Sequence, residues 1–298
     1  MFLGILFGLL AALFQSISYL CTSVFIGKHK NNIGTLLALS HIIMGIISVP
    51  LVFFLLPRNM PGLSSYLLML LGSSGFYLLG QFFLFSALVK SEPSSVSPLL
   101  GLKIIILALI SFVFLHQYLS LIQWFAVVVC SFSVFLLSHY GTSIHRSSLI
   151  MIVLACFAYC FSDISIKALV DQFKYLGLFH GAVFSAALSY ILCGIAGLLF
   201  LLVQPHNTSK STWLYSLPFA VSWLIAMICL FSCFALIGVI FGNILQSTRG
   251  IISIVFGYLI AHLGFERLET KTTRTVFIKR ILAALLIMGS IALFYYAQ

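Results

Sequence analysis

Three ionisable side chains stand where hydrocarbon is expected. Lys103 and Arg249 each lie about ten residues into an apolar run, so at 1.5 Å per helical residue both fall near the bilayer midplane. A charge at that depth is costly, which makes each a functional candidate. Arg grips a carboxylate or phosphate through a planar fork, and Lys adds a point charge. Together they would neutralise the anionic group of a bound small molecule. The plainer alternative is that either cation pairs with a carboxylate inside the protein or snorkels to an interface. Asp163 is the only acid well inside an apolar run. It has the chemistry to bind and release a proton and so couple a transport cycle. Its plainer reading is an ion pair with Lys167 at the i, i+4 helical spacing.

Uncharged polar groups occur at similar depth: Gln15, Ser18, Tyr19, His41, Tyr77, Gln81, Tyr159, Tyr190, Asn243, Gln246 and Ser247. Each either lines a hydrated cavity or hydrogen-bonds a neighbouring helix. Spacings of three place Asn243, Gln246 and Arg249 along one helix face. The substrate-binding candidates are therefore Arg249, Lys103, Gln246, Asn243, Tyr77, Gln81, Tyr159, Tyr19 and His41, with Asp163 as the proton-coupling candidate.

The elements that must position these residues are membrane helices. A chain of 298 residues that is 62% hydrophobic and 7% charged has too little polar surface to coat a soluble globule. Ten apolar runs recur along it, at 2–27, 33–56, 64–89, 94–115, 120–139, 147–170, 176–203, 213–236, 239–263 and 279–297. The predicted fold is all-α and integral to the membrane. A β-barrel would show short alternating segments instead. The first run has no basic residue ahead of it and no small-residue cleavage site, so it reads as a retained helix. No soluble domain is expected. The net charge of +10 sits mainly in short loops and helix ends, where phospholipid head groups account for it, so membrane lipids and not nucleic acid are the expected macroscopic partners. The seven cysteines fall inside apolar runs with no C-x-x-C pair and no His at ligand spacing, and read as small buried hydrophobes. No metal site is expected.

The second half of the chain repeats the first at a shift of about 149 residues. Ala38-Leu39-Ser40-His41-Ile42-Ile43-Met44-Gly45-Ile46 matches Ala187-Leu188-Ser189-Tyr190-Ile191-Leu192-Cys193-Gly194-Ile195, and the same shift pairs Tyr66 with Tyr215 and Gly101 with Gly250. The predicted domains are a five-helix repeat over 1–140 and a second over 147–298. An odd number of spans inverts the second repeat relative to the first. Gly72, Gly75, Gly80, Gly242, Gly250 and Gly257 allow close approach or bending, and Pro98 permits a kink. Counting Lys and Arg by alternate loops places both termini outside.

Enzyme motifs are absent: there is no P-loop, no G-x-S-x-G and no H-E-x-x-H, so neither a catalytic residue nor a cofactor is assigned. Phe85-Ser86-Ala87-Leu88 followed by Pro98 and His116-Gln117-Tyr118-Leu119, and their second-half partners Phe234-Ala235-Leu236, Gly250 and Gly264-Phe265-Glu266-Arg267-Leu268, resemble the tandem EamA-like repeat of the drug/metabolite transporter superfamily. Gln117 stands where that family's first repeat carries an acid. The resemblance covers nearly the whole chain. It implies ten helices as two inverted repeats around a central cavity, cations on helices four and nine as in relatives that carry sugar phosphates or nucleotide sugars, and both termini in the cytoplasm. On orientation it outweighs the loop charges.

The sequence thus predicts a secondary active transporter in a bacterial-type inner membrane, moving a small polar, anionic metabolite by alternating access. It is expected to be monomeric, with a dimer left open. Two rivals remain: an exporter of amino acids or amphipathic drugs, in which Asp163 dominates binding, and a non-transporting membrane scaffold or accessory subunit.

Overall fold

A computed structural model describes residues 1–29, 33–88, 99–114, 116, 118–139, 146–203, 208–252, 255–256 and 274–297. Pro98, Gln117, Gly257 and the stretch 264–268, all singled out above, lie outside the described residues. Among those described, the regular structure is helical throughout. Helix α1 spans Phe2–His29, α2 Ile33–Leu55, α3 Leu63–Leu88, α4 Leu102–Phe114, α5 Leu121–His139 and α6 Arg146–Gln172. A 3₁₀ turn at Lys174–Leu176 leads to α7 at Leu178–Val203, α8 at Lys210–Ile237, α9 at Val239–Gln246 and α10 at Arg274–Tyr296.

Long apolar sequences form helices in lipid because every backbone N–H and C=O must find its partner within the chain. Among the described residues, six helices are long and apolar enough to cross a membrane: α1, α2, α3, α6, α7 and α8. Helices α4, α5 and α10 have shorter apolar stretches, and α9 has only eight residues. The polarity runs inside out relative to a soluble protein. Phe53, Phe54, Leu68, Leu202 and Val203 are exposed, whereas Gln15, Ser40, Gln81, Lys103, Asp163, Asn243 and Gln246 are buried. The chain is an integral membrane protein.

The chain divides into two compact units, Met1–Leu78 with Ser162–Gly238, and Leu79–Phe161 with Val239–Gln298. Each unit draws on both halves of the sequence repeat.

In the first unit α1 packs on α8 and α2 on α7. The α2–α7 crossing is made possible by glycines at equivalent places in the repeat. A Cβ on Gly194 would come within 3.0 Å of Gly45 Cα and of His41 O, and one on Gly197 within 2.8 Å of Ala38 O. Further along, Gly34 faces Phe200. Numbers therefore fall along α2 as they rise along α7, so the two helices run antiparallel. Ser73 Oγ lies 3.0 Å from Ser189 Oγ, and Ser162 Oγ donates to Ser73 O at 2.8 Å, tying α3 to α7 and α6. Gly238 at φ 80° ends α8 and returns its N–H to Phe234 O, a turn that glycine adopts without a Cβ clash.

In the second unit α5 packs on α10 and α4, and α9 packs on α10 and α4. The first part of α6 sets Ile152, Ala155 and Cys156 against Leu84 and Ala87 of α3 and against Leu99 and Leu100. Phe241 stacks on Phe294 with centroids 5.3 Å apart.

Two apolar runs expected to be continuous helices are interrupted. A turn at Leu100–Gly101 precedes α4, and another at Ser247–Thr248 ends α9 before helix resumes at Arg249. The backbone tightens to i→i−3 bonding at both: Lys103 N–H reaches Leu100 O at 3.1 Å, Thr248 N–H reaches Leu245 O at 3.1 Å, and Gly250 N–H reaches Ser247 O at 3.1 Å. Ser247 and Thr248 hydroxyls add bonds to Ile244 O and Leu245 O. Lys103 is consequently the second residue of α4, not the middle of a longer helix, and Arg249 follows a break instead of lying within an unbroken one. Gly101 and Gly250, paired by the repeat, stand beside these two breaks.

Candidate functional site

The second unit brings together most of the polar residues that sequence spacing nominates. Lys103 is only 7% exposed, and its Nζ donates to Gln246 Oε1 at 3.3 Å. The same ammonium lies 5.8 Å from the centroid of the Tyr159 ring, within reach of a cation–π contact. Tyr159 can lie there because α3 presents Gly80, where an added Cβ would come within 2.6 Å of the ring. Gln246 is buried at the end of α9, and Asn243, one turn earlier, donates its Nδ2 to Val239 O at 2.9 Å. Arg249 is half-buried, three residues beyond Gln246 across the tightened turn, where a 3₁₀ backbone brings residues i and i+3 into line. Lys103 and Arg249 both belong to the second unit. Gln81 is buried on α3, and among the described residues its Nε2 has no hydrogen-bond partner.

Placement of Lys103 runs against helix electrostatics. The first turn of a helix carries the positive end of its dipole, where a cation is disfavoured. Backbone dipole and ammonium therefore add up to a region that attracts negative charge.

The first unit holds the other candidates. His41 Nδ1 lies 2.7 Å from Leu37 O and Nε2 lies 3.1 Å from Tyr77 Oη, so both ring nitrogens are engaged. Trp223 Nε1 donates to Tyr190 Oη at 3.0 Å. His41 stacks on Tyr190, its counterpart in the repeat, with centroids 6.5 Å apart and planes at 14°. Tyr77 and Tyr19 both pack against Trp223, at 6.3 Å and 6.1 Å. The result is one aromatic group at the α2–α7 crossing. Tyr190, one of the deep polar groups of the sequence, is central to it together with Trp223, which the apolar pattern does not rank above the other buried rings.

Asp163 is buried in the same unit. The carboxylate that pairs with Lys167 is Asp171, at 2.6 Å, and not Asp163. Lys167 has an acid at both i−4 and i+4, and the C-terminal one lies where α6 reaches solvent. An exposed pair of this kind contributes at most about 1 kcal/mol. Asp171→Asn is thus expected to leave the thermal midpoint nearly unchanged, as a melting curve of the purified variant would show.

Residues 2–139 match the model of the EamA-like transporter family. A crystal structure superposes on 99% of this chain and 97% of its own at a TM-score of 0.71 with 16% identity, a likeness of fold. No curated protein sequence matches. EamA-like proteins are transporters and not enzymes, and the match is consistent with the drug/metabolite transporter superfamily. Helix breaks such as those beside Lys103 and Arg249 are where transporters commonly build substrate sites.

Of the seven cysteines, six are buried and Cys21 is partly exposed, as small hydrophobic residues would be. Three do more than fill space. Cys130 Sγ lies 3.3 Å from Ser247 Oγ at the break after α9, while Cys156 and Cys160 meet backbone carbonyls around the break before α4.

Proposed function

We propose that this protein is a secondary active transporter of a small, polar, anionic organic metabolite. The observation that carries the reading is Lys103: a buried ammonium at the positive end of α4, held by Gln246, with Arg249 three residues beyond Gln246 in the chain. A buried ammonium at the positive end of a helix favours an anionic ligand. Arg249 supplies the directional fork and Lys103 the point charge. Gln246 and Asn243 offer amide groups, Gln81 a buried donor, and Tyr159 a ring beside the ammonium. In the first unit, the ring faces of Tyr19, His41 and Tyr77 offer aromatic surface suited to apolar or planar groups.

The antiparallel crossing of α2 and α7 at repeat-equivalent glycines supports a ten-span architecture of two inverted five-helix repeats. Such a pair of halves can exchange conformations, which is the basis of alternating access. A bacterial inner membrane is the setting we infer.

A thermal-shift screen of the purified protein tests the ligand class, because a ligand selective for the folded state raises its apparent stability. Organic anions are expected to raise the midpoint and neutral analogues are not. A rise produced only by amines or amphipathic cations would transfer the role to Asp163 and support the drug-exporter reading.

Asp163 couples transport to protons in this scheme. Asp163→Asn is expected to abolish accumulation driven by a pH gradient while exchange of labelled for unlabelled substrate continues. Undiminished gradient-driven accumulation in that variant would remove Asp163 from the coupling step.

A further inference from the structure

The turn at Leu100–Gly101 interrupts the regular i→i−4 ladder just before Lys103, and two thiols of helix α6 meet the carbonyls around it. Cys160 Sγ donates to Lys103 O at 3.4 Å, and the single S–H of Cys156 is shared between Leu99 O and Leu100 O, each 3.9 Å from Sγ. The two thiols are one helical turn apart on α6, so they lie on one face, and both have no solvent exposure. A serine or threonine within a helix commonly bonds back to its own i−4 carbonyl, as Ser16 does to Ala12 O and Ser185 to Gly181 O. Cys156 and Cys160 instead reach across to another element. Their contacts bracket the break from residue 99 to residue 103.

We propose that Cys156 and Cys160 are positioning residues for Lys103, pinning the start of α4 to α6 so that the ammonium is held on Gln246. The inference rests on the reading of Lys103 as an anion-binding group. It gives the α6 thiols a purpose beyond filling space, and it makes Lys103 responsive to movement of α6. Each thiol bond is weak by itself. Their effect is cumulative because both act on the same turn.

The test reads Lys103 directly and needs no transported substrate. Protein carrying ¹⁵N- and ¹³C-labelled lysine is placed in lipid nanodiscs, and the Lys103 side-chain resonance is assigned by its loss in Lys103→Gln. Cys160→Ala is expected to move that resonance by more than a line width, Cys160→Ser to leave it in place because a donor of similar size remains, and Cys156→Ala to move it less than Cys160→Ala. Cys130→Ala, a buried thiol in the same unit that contacts Ser247, is expected to leave it unmoved. An unmoved resonance in Cys160→Ala overturns the proposal. So does an equal displacement in Cys130→Ala. Should Cys160→Ala fail to fold, Cys160→Ser decides: a parental resonance supports the role and a displaced one overturns it. Failure of the anion reading would appear separately, as a Lys103 resonance that depends on Cys160 in a protein that no organic anion stabilises.

Discussion

Replacing Lys103 with Met is expected to reduce transport of the anionic substrate by roughly 30- to 3,000-fold without unfolding the protein. Losing one partner of a buried, hydrogen-bonded charge pair costs about 2–5 kcal/mol, and each 1.4 kcal/mol is a factor of about ten. In the proposed site the substrate's anionic group meets the Lys103 ammonium, so the loss falls on the bound state. Met fills nearly the same volume, so lost uptake with folded protein retained is the expected pair of results. Lost uptake with a collapsed midpoint would mean that Lys103 serves the fold.

The second large effect concerns the α2–α7 crossing. Gly194→Val places a branched side chain where even a Cβ would be 3.0 Å from Gly45 Cα and 3.0 Å from His41 O. Both neighbours are backbone atoms on a facing helix, so no flexible side chain can move aside. Overpacking costs about 1–3 kcal/mol where a core can adjust, and this contact has little room to do so. The helices would have to separate, and the His41–Tyr190 stack beside the crossing would be lost. The thermal midpoint is expected to fall by roughly 5 °C or more, or folded protein to be lost on expression. Gly62→Val, at a position where among the described residues the one near neighbour is the Ser64 hydroxyl at 3.9 Å, is expected to have little effect.

The sequence made this crossing legible, because the best-matched stretch of the repeat contains both Gly45 and Gly194 and close helix approach in membranes uses small residues. Helix existence was equally legible, since unbroken apolar runs have few other solutions in lipid. The breaks beside Lys103 and Arg249 were not. Hydropathy runs straight through Leu99–Ile104 and through Ile244–Ile252 apart from a few polar side chains, and it carries no record of where backbone bonding changes from i−4 to i−3. The aligned glycines Gly101 and Gly250 were the available signal. Spacing likewise paired Lys167 with Asp163, whereas the bond formed is with Asp171, at the same separation on the other side and exposed near the end of α6. Cysteine composition indicated burial but not that Cys156 and Cys160 face the carbonyls of another element. The seat built from Lys103, Gln246 and Tyr159 was foreseeable as a set of residue types, whereas the contacts among them depend on α4 beginning at Leu102.

Uptake into proteoliposomes tests the central claim most directly. Parental protein and the Lys103→Gln/Arg249→Gln double variant are reconstituted side by side and offered labelled organic anions, with neutral and cationic metabolites as comparison. The expected result is that the parent accumulates at least one anion, that unlabelled anions compete for it, and that the double variant loses this activity while keeping its melting midpoint. Equal uptake of every anion by parent and variant, or uptake confined to cationic and neutral compounds, would contradict an anion seat at Lys103 and Arg249.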